Sequence, residues 1–325
     1  MIRLGLCCKF ESELIAFKTT TAAAMLKLDR ADRLRRLSEL CRANAVALRE
    51  ALGYCASHQI GDFRVSSEIL PLKTHPDIGY AVSDLPDAGR IIGAFTDAGT
   101  FARARGLRVT FHPDPFILLS SPDPEIIRKS VLELVYQAEV ADWIGADVIN
   151  IHAGGAYGNK PAALARLART LRTLPASVRK RLTLENDDRL YSPADLLPFC
   201  RSTGVPLVYD VHHHRCLPDR LSVAEATEQA LATWDREPLF HVSSPRDGTN
   251  GKNPRPHHDY IDPKDFPHAW FDLDLTVEVE AKAKEKAIAR LRRTLERKGV
   301  TPFAPTGQER TFSVFVTPPS VSGVS

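Results

Sequence analysis

Along this chain, apolar runs of strand length alternate with stretches whose apolar residues recur at helical spacing. IRLGLC, near the start, predicts a first strand. From about Arg30 to His58, the positions of Leu34, Leu37, Leu40, Cys41, Ala45, Val46 and Leu48 predict a long amphipathic helix. DFRVSS reads as the second strand, a helix is expected across Asp87 to Arg105, and LRVTFH is the third strand. A helix beginning near Pro124, with Asp123 as its cap, leads into DVINIH. The alternation continues through KPAALARLARTLRTL, LTLEN, PADLLPFCRST, VPLVYD, SVAEATEQALATW and PLFHVSS. A long loop, RDGTNGKNPRPHHDYIDPKDF, then precedes LTVEVEA and KEKAIARLRRTLERKG.

Eight strand candidates separated by helices or long loops imply parallel crossovers, which leaves a closed barrel or an open doubly wound sheet. No GxGxxG or Walker-type loop follows a strand, so the usual signature of an open nucleotide-binding sheet is missing. The expected fold class is α/β, a TIM (β/α)8 barrel, with residues 1–300 as one catalytic domain. The Pro- and Ser-rich segment 301–325, ending TPPSVSGVS, is expected to be a flexible tail.

Closure matters because of what stands at the strand ends. His112 closes LRVTFH, His152 closes DVINIH, Glu185 closes LTLE, Asp210 closes PLVYD, His241 closes PLFH and Glu280 closes LTVEVE. Barrel enzymes build their active sites at the carboxyl ends of their strands, so closure would bring these distant residues onto one face. Imidazole and carboxylate donors without thiolate suit zinc, manganese or iron in a catalytic rather than a structural site. A central carboxylate such as Glu185 can bridge two ions about 4 Å apart, and such a cluster clamps a scissile phosphate. In YDVHHH, His212, His213 and His214 are expected to enter the loop after Asp210; one of them should be a ligand, and the Asp-x-x-His spacing favours His213. The long loop adds His257, His258 and Asp259.

Taken singly, such histidines are more often satisfied core or surface residues, and His58, His75 and His268 are left in that class. A lone strand-end acid can cap the next helix, a role open to Asp187 or Asp188. Six strand ends carrying metal-type residues exceed what coincidence supplies.

Composition narrows the class further. The 325 residues, 43% hydrophobic and 26% charged with a formal charge of +3, describe an ordinary globular chain whose net charge decides nothing about nucleic acid, so that any DNA-binding face would be a local patch. No apolar run reaches the roughly 18 residues of a membrane span, and MIRLGLCCKF reads as a strand rather than a signal peptide, so a cytoplasmic monomer without membrane contact is expected. Cys7, Cys8, Cys41, Cys55, Cys200 and Cys216 form no zinc-type or disulfide pattern and are expected to be reduced and mostly buried.

In order and context, His112, His152 in NIHAGGAYGNK, Glu185 in LENDDRLYS, Asp210 and His213 in YDVHHH, His241 in HVSS, His257 in HHDYI and Glu280 in EVEAKAKE resemble the UV damage endonuclease family. FRVSSEILPLKTHPDIGY is similar to its second-strand segment, and the likeness runs from about Ile2 to about Lys284. The resemblance implies a xylose-isomerase-like barrel, related to the apurinic-site endonucleases. It also implies a cluster of divalent ions, three of them, manganese favoured and zinc or magnesium possible. The substrate would be damaged double-stranded DNA, nicked 5′ of ultraviolet photoproducts or other distorting lesions to leave a 3′-hydroxyl.

By the same resemblance, Glu185 would bridge ions, with Asp210, His241 and Glu280 completing one pair. His112 and His152 would bind a more exposed ion, and His213 and His257 a third. Glu185, His112, His152 and Lys160 would be the catalytic set; Phe116, Tyr157 and Lys160 would touch DNA. Three departures from the family's pattern stand out, one of them the first-strand loop LCCKFESELIAFKTTT, which lacks the Tyr and Asn that some members place there. The family's His-Pro-Gly-Gln-Tyr is here His112-Pro113-Asp114-Pro115-Phe116, and Pro115 lacks the amide donors of Gln. Leu239 occupies a position that is lysine in some members. A sugar isomerase or epimerase of the same barrel class, and a damage-binding protein without catalysis, are the alternative readings.

Overall fold

The computed structural model describes residues 1–248 and 251–305. Eight parallel strands close on themselves in sequence order: β1 (Ile2–Cys7), β2 (Asp62–Val65), β3 (Arg108–Phe111), β4 (Val148–His152), β5 (Leu182–Glu185), β6 (Leu207–Asp210), β7 (Leu239–Val242) and β8 (Leu275–Val279). The ring is sealed by β1 against β8, from Ile2 opposite Leu275 to Leu6 opposite Val279. This is the (β/α)8 barrel that the alternation predicts.

The outer helices follow their local signals. The longest, Arg30–Ser57, is capped by Asp29, whose carboxylate accepts from Asp32 N at 2.8 Å, and it buries Leu37, Cys41, Leu48 and Leu52. Pro124–Ile144 begins where Asp123 accepts from Glu125 N and ends at Gly145, whose φ of 77° is the left-handed turn that sends the chain back into β4. Gly204, at φ 72°, does the same before β6. No described helix is long and apolar enough to cross a membrane.

Alternation along the strands sorts side chains between two environments. Ile2, Leu4 and Leu6 of β1 belong to the apolar layer between sheet and helices. The opposite positions fill the barrel, and this interior is unusually polar. Thr110 on β3 donates to Glu278 on β8 at 2.6 Å, a bond that crosses the lumen, and Thr183 on β5 donates to Asn150 on β4 at 3.0 Å. Val148, Val208 and Leu239 form a small separate apolar cluster, with Trp234 against it. At the N-terminal mouth, Arg108 pairs with Asp147 at 2.8 Å and Arg3 with Glu237 at 2.9 Å.

Two expectations need correction. The stretch after Asp210 is not loop but a short helix, Val211–Cys216, because the Asp210 carboxylate caps it by accepting from His213 N. Neither Asp187 nor Asp188 caps the next helix. Asp187 accepts from the amides of Arg189, Leu190 and Tyr191 within its own turn, and Ser192 with Asp195 forms the capping box of Pro193–Thr203. Of the segment expected as a tail, residues 301–305 are described. Arg292 donates to the carbonyls of Pro302 and Phe303, and Phe303 N donates to Ile2 O at 2.6 Å. Residues 306–325 of that expected tail lie outside the described residues.

Candidate metal centre

All six strand-end residues meet at the C-terminal mouth. Glu185 stands at their centre, only 1% exposed. His112 Nε2 lies 2.9 Å from its Oε2, His213 Nδ1 3.1 Å from Oε1 and His241 Nδ1 3.3 Å from Oε1. Asn150 Nδ2 donates to Oε2 at 2.6 Å and fixes the carboxylate plane from below. His152 joins from β4, its ring 5.3 Å from that of His112 and 6.0 Å from that of His213. Glu280, one residue past β8, has Oε1 3.7 Å from His241 Nδ1 and Oε2 3.7 Å from His257 Nδ1.

Donor atoms within 4.8 Å of one another define three sets from the expected residues: His112, His152 and Glu185; Glu185, Asp210 and His213; His112, His241 and Glu280. Glu185 and His112 each belong to two of them. His257 belongs to none of the three; it approaches Glu280, and its ring lies 5.5 Å from that of His212 and 6.4 Å from that of His213. Its loop is held in place by backbone, with Arg246 N donating to Pro256 O and His258 N to Ser244 O.

The three consecutive histidines separate cleanly. His213 faces Glu185 and, at 3.5 Å, Asp210. His212 Nε2 turns to Arg255 O at 3.2 Å. His214 is held between Tyr209 Oη at 2.8 Å and Asp219 at 3.1 Å. A helix makes this inevitable, since residues about 100° apart cannot share one face.

Electrostatics bind the cluster together. Burial alone would raise the Glu185 carboxyl, but His241, His152 and His112 reverse this and hold it well below the usual carboxylate range. Burial opposes charge on His241 and His213 too; neighbouring carboxylates overcome it, Glu185 foremost for His241 and Asp210 for His213, and both are pushed well above the ordinary histidine value. His152 goes the other way, lowered chiefly by burial.

His152 Nδ1, Asp210 Oδ2 and both ring nitrogens of His241 are buried without a hydrogen-bond partner. His241's carboxylate neighbours are close enough for ion pairs but not aligned as hydrogen bonds. Buried polar atoms in folded proteins are nearly always satisfied, so orphaned nitrogen and oxygen donors converging on one carboxylate match a divalent ion. The donor set therefore fits divalent-ion ligation.

A second layer escaped the strand-end criterion. Glu278, two residues before Glu280 and 1% exposed, reaches His241 Nε2 at 3.1 Å. Arg64 of β2 donates to Glu278 at 3.0 Å and to Glu280 at 2.6 Å, tying the two acids together. Cys7 is buried beside them, its thiol pushed well up chiefly by burial, so it faces the acids as a neutral group. The clue was present in VEVE, because acids two apart on a strand share a face.

The remaining expected residues lie at the rim. Lys160, at the start of Lys160–Thr173, is 2.9 Å from Asp195 and lies over the Tyr191 ring, so its described partners are outside the cluster. Phe116 is 80% exposed and Tyr157 44%. Tyr157 has a φ of 49° between Gly155 and Gly158, and a side chain on Gly155 would press against its ring.

Comparison with known proteins places this geometry. The model of the family described as UV-endonuclease UvdE matches residues 2–308. A UV DNA damage endonuclease of Deinococcus radiodurans is 40% identical over 302 residues, covering 89% of this chain and 94% of the relative. One from Bacillus velezensis is 36% identical over 286 residues, 84% of this chain and 87% of the relative. The crystal structure of SacUVDE superposes with a TM-score of 0.83 at 26% identity, over 92% of this chain and all of the other. Endonuclease IV from Thermus thermophilus, with a TM-score of 0.58 at 18% identity over 77% of this chain and 94% of the other, shares the fold. With the family model spanning nearly every described residue and these relatives so similar over most of their length, the chain belongs to the UV-endonuclease UvdE family.

Proposed function

We propose that this protein is a divalent-metal-dependent DNA repair endonuclease that nicks the phosphodiester 5′ of ultraviolet photoproducts or other helix-distorting lesions and leaves a 3′-hydroxyl. One observation carries the reading: orphaned buried donors of His152, Asp210 and His241 converge around Glu185 in a chain of this family. The relatives' names supply the damaged-DNA substrate, and the donor set supplies the chemistry.

Glu185 would be shared between ions, with His112 and His152 on one side and Asp210 and His213 on the other. His241 and Glu280 would complete the centre, and His257 would reach it beside Glu280. Three ions are expected, manganese favoured, with zinc or magnesium compatible with the same donors. When bound, such ions lower the pKa of water and neutralise charge on the phosphate and the departing oxygen. The chain's own residues hold that geometry: Asn150 orients Glu185, Arg64 and Thr110 anchor the acids of β8, and the cap of Val211–Cys216 aims His213. Lys160 is proposed to contact a backbone phosphate, exchanging Asp195 for it.

The sugar-epimerase reading rests on the barrel alone, and the intact donor set argues against a protein that only binds damage. Purified, ion-loaded protein should incise a duplex carrying one pyrimidine dimer in manganese buffer, and Glu185→Gln should lower the rate at least a thousandfold, on the order of the loss of other central catalytic groups. Absence of incision on every damaged duplex, abasic ones included, would overturn the proposal.

A further inference from the structure

Period-two alternation brings three neighbouring strands to bear on one spot beside the centre. In the closed ring β1 lies between β8 and β2, with Gly5 opposite both Glu278 and Asp62, and Cys7 opposite Arg64. Cys7, Arg64 and Glu278 therefore share the inward face, and Glu280 continues it past the end of β8. Cys7, Glu278 and Glu280 each bring one donor atom within 4.8 Å of the others, a fourth set able to hold an ion among the described residues. It is buried, with Cys7 and Glu278 each 1% exposed. His241, itself fully buried, aims at Glu278 from 3.1 Å a ring nitrogen, Nε2, that has no hydrogen-bond partner.

What separates this set from the other three is that a permanent cation already sits on it. One guanidinium nitrogen, Arg64 Nη1, lies 3.0 Å from Glu278 Oε2 and 2.6 Å from Glu280 Oε1. Arginine stays charged at any pH a folded protein meets, so an ion on these two oxygens would have to displace it. Donor chemistry sets the fourth group apart as well. The other three offer only nitrogen and oxygen, whereas a thiolate draws soft ions. A thiol that ligates such an ion releases its proton to solvent and joins the shell as thiolate. Glu280 belongs both to this set and to the one with His112 and His241, so a soft ion held by Cys7 would take a ligand from the centre.

We infer that Arg64 is an ion-selectivity residue of this site: its guanidinium fills the place of a fourth ion, keeps Cys7 out of ligation and leaves Glu280 to the ion held with His112 and His241. Arg64 acts through Glu278 and Glu280 and is a positioning residue, not a catalytic one. The inference rests on the reading of the cluster as a metal centre and adds to it what bars thiophilic ions from its edge.

The test is a cadmium titration of the ion-free full chain. Bound ions are counted by equilibrium dialysis, and ligation by sulfur is read from the ultraviolet sulfur-to-cadmium charge-transfer band. In the wild type, Cys7→Ser should change neither the count nor the band. Arg64→Ala should bind about one more cadmium ion per chain and gain a band, and Cys7→Ser in that background should remove both. Should Arg64→Ala unfold for want of a cation on its acids, saturating cadmium should refold it, as followed by circular dichroism. Three results would overturn the inference while the centre stands: a wild-type band that depends on Cys7, an Arg64→Ala chain that gains neither ion nor band, or one that stays unfolded in saturating cadmium. A wild type that binds no divalent ion would overturn the metal-centre reading itself.

Discussion

Glu278 Oε2 stands 3.1 Å from His241 Nε2, on the side of the imidazole turned away from Glu185. The contact sets which nitrogen faces the centre: Nδ1 is turned to Glu185 and Glu280 and Nε2 to Glu278, so an ion would take Nδ1 while Nε2 kept its proton. Carboxylates placed behind ligating histidines orient the ring and strengthen it as a donor, and losing one typically costs 10–100-fold in metal affinity. Glu278→Ala should therefore lower the affinity for divalent ions about 10–100-fold, and Glu278→Gln, which can still accept from His241, by less. Competition titration with a chelator, beside thermal unfolding of the ion-free forms, checks this. Equal ion affinity in the wild type and Glu278→Ala would refute it.

Ion binding should expel protons. In the ion-free protein burial disfavours charged His241 and His213, yet Glu185 and Asp210 prevail and hold both well above the ordinary histidine value, so both carry a proton near neutrality. A ligating imidazole must be neutral, so adding the ion should release up to two protons, measurable as buffer-dependent heat in calorimetry. Apparent affinity should rise with pH for the same reason. The ion-free protein follows the opposite sign: a raised histidine stabilises the fold below about pH 6.5 and loses that contribution as pH climbs through the folded value.

A second pH effect comes from Asp62, fully buried with neither carboxyl oxygen hydrogen-bonded. Burial first, and then the nearby Glu278, push it well above the ordinary value of 3.8, so the fold holds it neutral while the unfolded chain ionises it. The folded state thus binds the extra proton, and stability falls as pH rises, by up to about 1.4 kcal/mol per unit inside that window. Asp62→Asn removes the linkage. Its melting-temperature advantage over the wild type should grow between about pH 4 and pH 8; a gap that stays flat would mean that Asp62 is charged in the fold.

Gly5 and Asp62 share one space in the barrel interior. A methyl group at Gly5 would collide with Asp62 Oδ2 and stand 3.2 Å from its Cβ and Cγ. Gly5→Ala should destabilise the protein by about 1–3 kcal/mol, as overpacking does. Adding Asp62→Ala should recover part of it, with a coupling energy of about 1 kcal/mol in denaturant unfolding. Strict additivity would show that the two positions do not compete.

The strand ends were legible because two signals coincided there, an apolar run and a polar residue that breaks it. Closure then needed only the alternation of strands and helices. What stayed hidden lay one layer deeper. Glu278, Thr110 and Asn150 sit inside runs that read as hydrophobic, and only the period-two pairing with Glu280, His112 and His152 reveals their direction. Arg64 was invisible for another reason: its partners, Glu278 and Glu280, lie more than two hundred residues away. The triple histidine misled because three identical residues carry no periodicity, whereas the capping carboxylate of Asp210 determines the local helix and with it the one side chain that turns inward.

The alternation that stacks Glu278 under Glu280 and Thr110 under His112 has a consequence for how this sequence can change length. Deleting one residue within β3 or β8 would remove no ligand, yet it would turn every later inward side chain of that strand outward and empty its share of the site. Deleting two would restore the direction but lower the donors by a full layer, bringing imidazole to the level of Thr110. Insertions in this lineage should therefore concentrate between strands, in segments such as 113–123 and 243–274, where an added residue alters what the rim touches without shifting the frame of the centre.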